Sequence, residues 1–167
     1  MRVAIISDVH NNETNLKKVL NYCKSENIKT IICCGDLASL ETLDFLNDNF
    51  RGTIYYAFGN MDNDQLQDFE FKDKYKNTFL FKNFGEAELD NKKIAFIHFP
   101  DAAKKLCESG KYNFVFYGHT HKPWEENING CKMLNPGNAA GEIYPPTFAV
   151  WNTGNDEFKL VRIHELR

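Results

Sequence analysis

Three short apolar runs, separated by segments with helical spacing, constrain this chain more than any other feature. "RVAIIS" at residues 2–7, "KTIICC" at 29–34 and "TIYYAF" at 53–58 read as strands. Between them, Leu16, Val19, Leu20 and Cys23 recur at helical spacing within residues 13–27. Leu40, Leu43, Leu46 and Phe50 likewise fall on one side of a second helix, over about residues 40–49. Strands alternating with short helices predict a parallel sheet made of βαβ units.

The pattern changes after residue 64. "GEAELDNKKIAFIHF" predicts a hairpin that turns at Asp90 and Asn91, and "TFAVWN" with "EFKLVRI" predicts another around Thr153 to Asp156. "FVFY" at 114–117 reads as a strand buried on both faces. The second half is therefore expected to be mostly antiparallel, giving two sheets packed face to face with helices outside. Phe69, Phe71, Tyr75, Phe79 and Phe81 are expected in the core, because buried aromatics usually serve packing, with the lining of a base or acyl pocket as the alternative.

Polar signatures close these strands. "SDVH" supplies Asp8 and His10, "GDL" supplies Asp36, "GNMD" supplies Asn60 and Asp62, "FIHF" supplies His98, and "GHTH" supplies His119 and His121. The carboxyl ends of parallel strands form one rim where ligands bind. Four of the five histidines fall in these positions, leaving only His164. Imidazoles and carboxylates together are what divalent transition metals require. His119 and His121 are two apart, so in an extended segment both point the same way.

Composition narrows the function. With 20 Lys and Arg against 23 Asp and Glu, the net charge of −3 offers no basic excess for a nucleic-acid backbone or an anionic membrane. No apolar run approaches the length of a bilayer span, and "RVAIIS" after Met1 lacks the features of a signal peptide, so a cytoplasmic location is expected. The five cysteines are odd in number and contain no C-x-x-C pair. Neither a disulfide framework nor a thiolate zinc site is expected, and Cys33 and Cys34 read as core.

In its order D-x-H, G-D, G-N-x-D, H, G-H-x-H, the chain resembles the calcineurin-like metallophosphoesterases. "NPGN" at Asn135 to Asn138 and the short length resemble their compact bacterial and archaeal phosphodiesterase branch. The resemblance implies an α/β fold of four layers, a sandwich of two mixed β-sheets flanked by helices, and a single metallophosphoesterase domain over residues 1–167. It implies that Asp8, His10 and His121 ligate one metal, that Asn60, His98 and His119 ligate another, and that Asp36 bridges them. Two divalent transition-metal ions are implied, manganese first, with nickel, zinc, iron or cobalt also compatible with such ligands. The implied reaction is phosphodiester hydrolysis of a small phosphate ester by attack of a metal-bridging hydroxide on phosphorus. A phosphomonoesterase or nucleotidase, and a non-catalytic protein-binding scaffold of the same fold, are the competing readings.

Three positions depart from the family. Met61 stands where many relatives place a histidine that protonates the leaving group, and a thioether has no proton to give. Asp62, metal-bound water or a group of the substrate is then the candidate source of that proton, and esters with good leaving groups, such as aryl esters, are the expected substrates. Phe99 and Pro100 follow His98 where a glycine is usual, which predicts a stiffer loop with an aromatic wall. Asn11 replaces a common glycine, whereas Asn12 fits the family as a candidate substrate contact or as the cap of the helix starting near Glu13.

Overall fold

A computed structural model of the chain describes residues 1–62 and 74–166. The elements run β1 (Arg2–Ile6), α1 (Glu13–Ser25), β2 (Thr30–Cys33), α2 (Leu40–Asn49), β3 (Thr53–Ala57), β4 (Thr78–Phe81), β5 (Phe84–Leu89) and β6 (Lys92–Ile97). They continue with α3 (Pro100–Glu108), β7 (Phe114–Phe116), β8 (Trp124–Ile128), β9 (Cys131–Asn135), β10 (Thr147–Asn152) and β11 (Glu157–Arg162), closed by a 3-10 turn at Ile163–Glu165. One sheet has the order β11-β10-β1-β2-β3-β4 and the other β5-β6-β7-β9-β8. Both sheets are mixed: β1, β2, β3 and β4 pair in parallel, as do β6, β7 and β9, while β10, β11, β5 and β8 attach antiparallel.

Strand alternation generates the four layers. Ala4 and Ile6 of β1 face α1 and α2, packing on Leu16, Val19, Leu43 and Leu46. Their neighbours Val3 and Ile5 face the second sheet, in a cluster with Ile32, Phe96, Phe116 and Trp151. On the far side of that sheet, Ala95 and Val115 pack with Ala103 and Cys107 of α3. A one-residue slip of β1 would exchange the two sets of side chains, so burial on both faces fixes its register. Phe96 and Phe116 are fully buried between the sheets, where truncation to alanine costs about 3–5 kcal/mol.

Several expectations meet corrections. The second half is less antiparallel than its sequence suggested, because β6-β7 and β7-β9 are parallel pairs. Pro100 begins a helix: it occupies the first turn of α3, where a missing N–H leaves no bond unmade. The expectation of no disulfide is overturned at one pair, Cys107–Cys131, which joins α3 to β9 across 24 residues. Residues far apart in sequence meet in the third core cluster, a proximity that spacing alone does not reveal. Cys23, Cys33 and Cys34 are free and buried. Of the five aromatics expected in the core, Phe69 and Phe71 lie outside the described residues and Tyr75 is buried. Phe81 packs edge-on against Phe96, but Phe79 is 52% exposed and stacks on Tyr55. Among the described residues, no helix is long and apolar enough to cross a membrane.

Candidate metal centre

The five segments that carry the candidate ligands follow β1, β2, β3, β6 and β7, and backbone hydrogen bonds stitch them together. The N–H of Asp8 donates to Gly35 O at 3.0 Å, that of His10 to Asp36 O at 3.0 Å, and that of Gly118 to His98 O at 3.1 Å. Asp8, His10, Asp36, His119 and His121 all adopt positive φ, between 46° and 70°. Such conformations cost about 1–2 kcal/mol per residue, and their clustering here marks a site whose geometry the surrounding fold imposes.

Two glycines make the close approach feasible. A Cβ on Gly59 would sit 2.1 Å from Asp36 Oδ1. At Gly35, with φ of +102°, it would meet His98 Nδ1 at 2.4 Å. The G-D and G-N signatures thus owe their glycines to the side chains packed over them.

One group of ligand atoms comprises Asp8, His10 and His121. His121 Nε2 lies 3.3 Å from Asp8 Oδ1 and His10 Nε2 3.7 Å from it. Asp8 Oδ1 and His10 Nε2 are buried and have no hydrogen-bond partner among the described residues. Leaving two such atoms unpaired is costly, and a cation between them would satisfy both. His121 directs Nδ1 at the carbonyl of Glu142, 3.4 Å away, which sets Nε2 toward Asp8.

Asn60, His98 and His119 form the other group. Asn60 Oδ1 lies 2.9 Å from His98 Nε2 and 3.0 Å from His119 Nδ1, and those nitrogens are 3.2 Å apart. His98 Nδ1 is 2.8 Å from Cys34 O, a pure acceptor, so Nδ1 carries the proton and in the neutral ring Nε2 presents a lone pair. That lone pair faces the oxygens of Asn60 and Asp36, an arrangement of acceptors that calls for a cation or an added proton. Asp36 Oδ2 spans the two groups, at 3.2 Å from His98 Nε2 and 3.8 Å from His10 Nε2. The residues present therefore fit a pair of divalent metals.

Electrostatics in the metal-free chain follow this crowding. Burial opposes ionisation of Asp36, but His98, the Met61 N–H and His10 outweigh it and hold its pKa below the usual range. For His10 the Asp8 carboxylate is the main cause of a raised pKa, against burial and with help from Asp36. Burial works against charging His98, yet Asp36 and Asp8 raise its pKa as well.

Not every candidate faces the cluster. Asp62 turns its carboxylate to backbone N–H groups, with Oδ2 accepting from Asp36 at 2.9 Å and Gly59 at 2.6 Å and Oδ1 from Ala38 at 2.9 Å. Asn12 caps α1 by accepting from the Asn15 N–H, and its amide donates to Ala140 O. Met61 donates its N–H to Asp36 Oδ1 at 2.8 Å and leaves its side chain half exposed. The residues given no role from sequence are those that aim the histidines. Asn135 donates to Gly118 O and Thr120 Oγ1, and Asn138 donates to His121 O while accepting from the Glu142 N–H. "NPGN" was their sequence signal.

Comparison with known proteins agrees with this architecture. Residues 1–156 match the calcineurin-like phosphoesterase superfamily domain. A phosphodiesterase of Methanocaldococcus jannaschii is 28% identical over 162 residues, covering 95% of this chain and 97% of its own. A solved structure of an archaeal phosphodiesterase superposes with a TM-score of 0.87 at 28% identity, covering 97% of this chain and 99% of that one. Vacuolar protein sorting 29 of Cryptosporidium parvum shares the fold, with a TM-score of 0.69 at 19% identity, covering 96% of this chain and 95% of that one.

Proposed function

The chain belongs to the calcineurin-like phosphoesterase superfamily, and from that membership we propose that residues 1–167 form one domain that hydrolyses phosphodiester bonds of small molecules with two bound divalent metals. The observation that carries this reading is the pair of buried, unpartnered atoms, Asp8 Oδ1 and His10 Nε2, opposite His121 Nε2. The M. jannaschii phosphodiesterase supports the diester over the monoester.

In this reading Asp8, His10 and His121 would hold one cation, Asn60, His98 and His119 would hold the other, and Asp36 would contribute to both. The chemistry that such a pair supplies when bound is activation of water at neutral pH and neutralisation of charge at the phosphoryl group. The chain's own residues position everything else. Cys34 O and Glu142 O fix the tautomers of His98 and His121, so that each turns a lone pair inward. Asn60 has a free choice of substrate contact through its amide nitrogen, because its oxygen faces the two imidazoles. We assign Asp62 a positioning role beneath Asp36 rather than proton delivery, and Asn12 a supporting role behind the loop of His10. With Met61 unable to protonate a leaving group, aryl esters are the favoured substrates.

The donor set of nitrogen and oxygen accommodates manganese, nickel, zinc, iron or cobalt, and manganese is placed first on the family resemblance alone. The net charge of −3 favours a small phosphate ester over nucleic acid as substrate. A cytoplasmic location stands as a proposal. Metal analysis of the isolated protein, paired with a screen of phosphomonoesters and phosphodiesters under added Mn²⁺, Ni²⁺ and Zn²⁺, tests the proposal. Metal-dependent cleavage of aryl diesters is expected. Undiminished cleavage after complete chelation, or no cleavage with any metal, overturns it.

A further inference from the structure

Phe99 is 43% exposed, although its ring lies against the candidate metal ligands. Its centroid is 5.1 Å from the His98 ring at an interplanar angle of 80°, and 5.1 Å from the His119 ring at 60°. Neither imidazole is parallel to it, so neither covers a face of the ring by stacking. The position is also rigid. Pro100 restricts the backbone of the residue before it, Phe99 stays extended at φ −87° and ψ 132°, and its carbonyl accepts the Ala103 N–H at 3.0 Å, anchoring it to α3. A buried packing role does not account for an aromatic ring half open to solvent when smaller residues suit an exposed helix start.

Resting on the phosphodiesterase reading above, we propose that Phe99 is the specificity wall of the site, a fixed platform on which a planar aromatic ester group of the substrate stacks. His98 and His119 belong to the same group of ligand atoms as Asn60, whose oxygen lies within 3.0 Å of both. A phosphoryl group held there has Phe99 as its aromatic neighbour. Offset stacking of two π-systems adds to the burial of apolar area, and the stiffness of the platform limits the entropy lost on binding. Met61 points to the same class from the chemical side: an aryloxide leaves without a donated proton, whereas an alkoxide does not. The substrate class is thus an aryl phosphodiester whose stacked ring is part of the leaving group; a nucleobase, whose ester leaves as a sugar alkoxide, is the alternative that the titration below decides.

Calorimetric titration of the Mn²⁺-loaded protein with phenylphosphonate, adenosine 5′-monophosphate and methylphosphonate tests this without turnover. Phe99→Ala is expected to weaken the aromatic ligands by about three- to tenfold while methylphosphonate affinity and metal content hold. Phe99→Tyr is expected to restore the loss and Phe99→Leu, apolar but without a flat face, to leave it. A loss with phenylphosphonate alone identifies an aryl group, and a loss with the nucleotide identifies a base. Equal weakening of all three ligands, no weakening of either aromatic one, or full rescue by leucine overturns the proposal. Binding is read separately from catalysis, so a wild-type protein that binds these ligands but cleaves no diester refutes the enzymatic reading and leaves the wall intact.

Discussion

Asp62 sits beneath Asp36, with one of its carboxylate oxygens 2.9 Å from the Asp36 backbone nitrogen. The same carboxylate receives the Gly59 and Ala38 N–H groups, so one side chain ties the loops after β2 and β3 into a single unit. Removing it leaves buried N–H groups unpaired, each costing about 1–3 kcal/mol. Asp62→Ala is expected to lower unfolding free energy by about 2–4 kcal/mol and to reduce metal content, read by urea denaturation and metal analysis. A variant of normal stability and metal content would show that the tie is dispensable.

Gly59→Ala should separate fold from function. Its Cβ would press on Asp36 Oδ1 from 2.1 Å, forcing the carboxylate off the midpoint of the site. Displacement by about 1 Å at a reacting centre costs on the order of 100-fold in rate. We expect near-native circular dichroism with that loss of diesterase activity; wild-type turnover would sink the bridging role of Asp36.

Metal binding should weaken in acid earlier than ordinary histidines dictate. In the metal-free fold, His10 and His98 hold protons more tightly than their usual value of 6.5 allows. That excess stabilises the metal-free fold fully below about pH 6.5 and is lost as pH rises through the raised folded values. A metal must displace the same protons. Affinity measured by titration should therefore begin to fall while the pH is still above 6.5 and go on falling below it, with proton release on binding, and a flat profile contradicts the assignment of His10 and His98 as ligands.

The Cys107–Cys131 cross-link closes a loop that includes β7, His119 and His121. Closing a loop of this size is worth about 3 kcal/mol in the chain-entropy account. Thiol titration of the unfolded, unreduced protein should find three reactive groups, the free Cys23, Cys33 and Cys34, rising to five on reduction. Cys131→Ala should lower the melting temperature under oxidising conditions, and an unchanged melt would argue that the bridge adds nothing.

Met61→His places an imidazole beside Asn60, at a half-exposed position where a polar ring of similar size meets solvent. General acid catalysis contributes about 10²–10⁴-fold where the donor is well aimed. Cleavage of alkyl esters should rise relative to aryl esters, measured as a ratio of kcat/KM values; an unchanged ratio removes Met61 from the account of selectivity.

Legibility in the sequence followed the length of the signal. β1, β2, β3, α1 and α2 lie within a residue or two of their expected bounds because burial fixes both their periods and their faces. The polar segments after these strands do converge, which strand ends alone predicted. The hairpin of β8 and β9 turns at Asn129 and Gly130, both at positive φ as a tight hairpin turn requires, yet its strands carry little signal of their own. Its β8 strand is largely exposed, so the apolar alternation that reveals a half-buried strand is missing. The tautomer-setting contacts from Cys34 and Glu142 were illegible for a different reason: they use carbonyl groups, which every residue carries.

The placement of β10 between β11 and β1 bears on how this molecule is made. A nascent chain that has reached residue 121 already contains every candidate ligand, yet β1 then lacks its neighbour on one side, and the Ala139 and Ala140 N–H groups that clasp Ser7 O and Asp8 O have not been synthesised. The candidate site is therefore complete only once this closing ribbon has docked on β1.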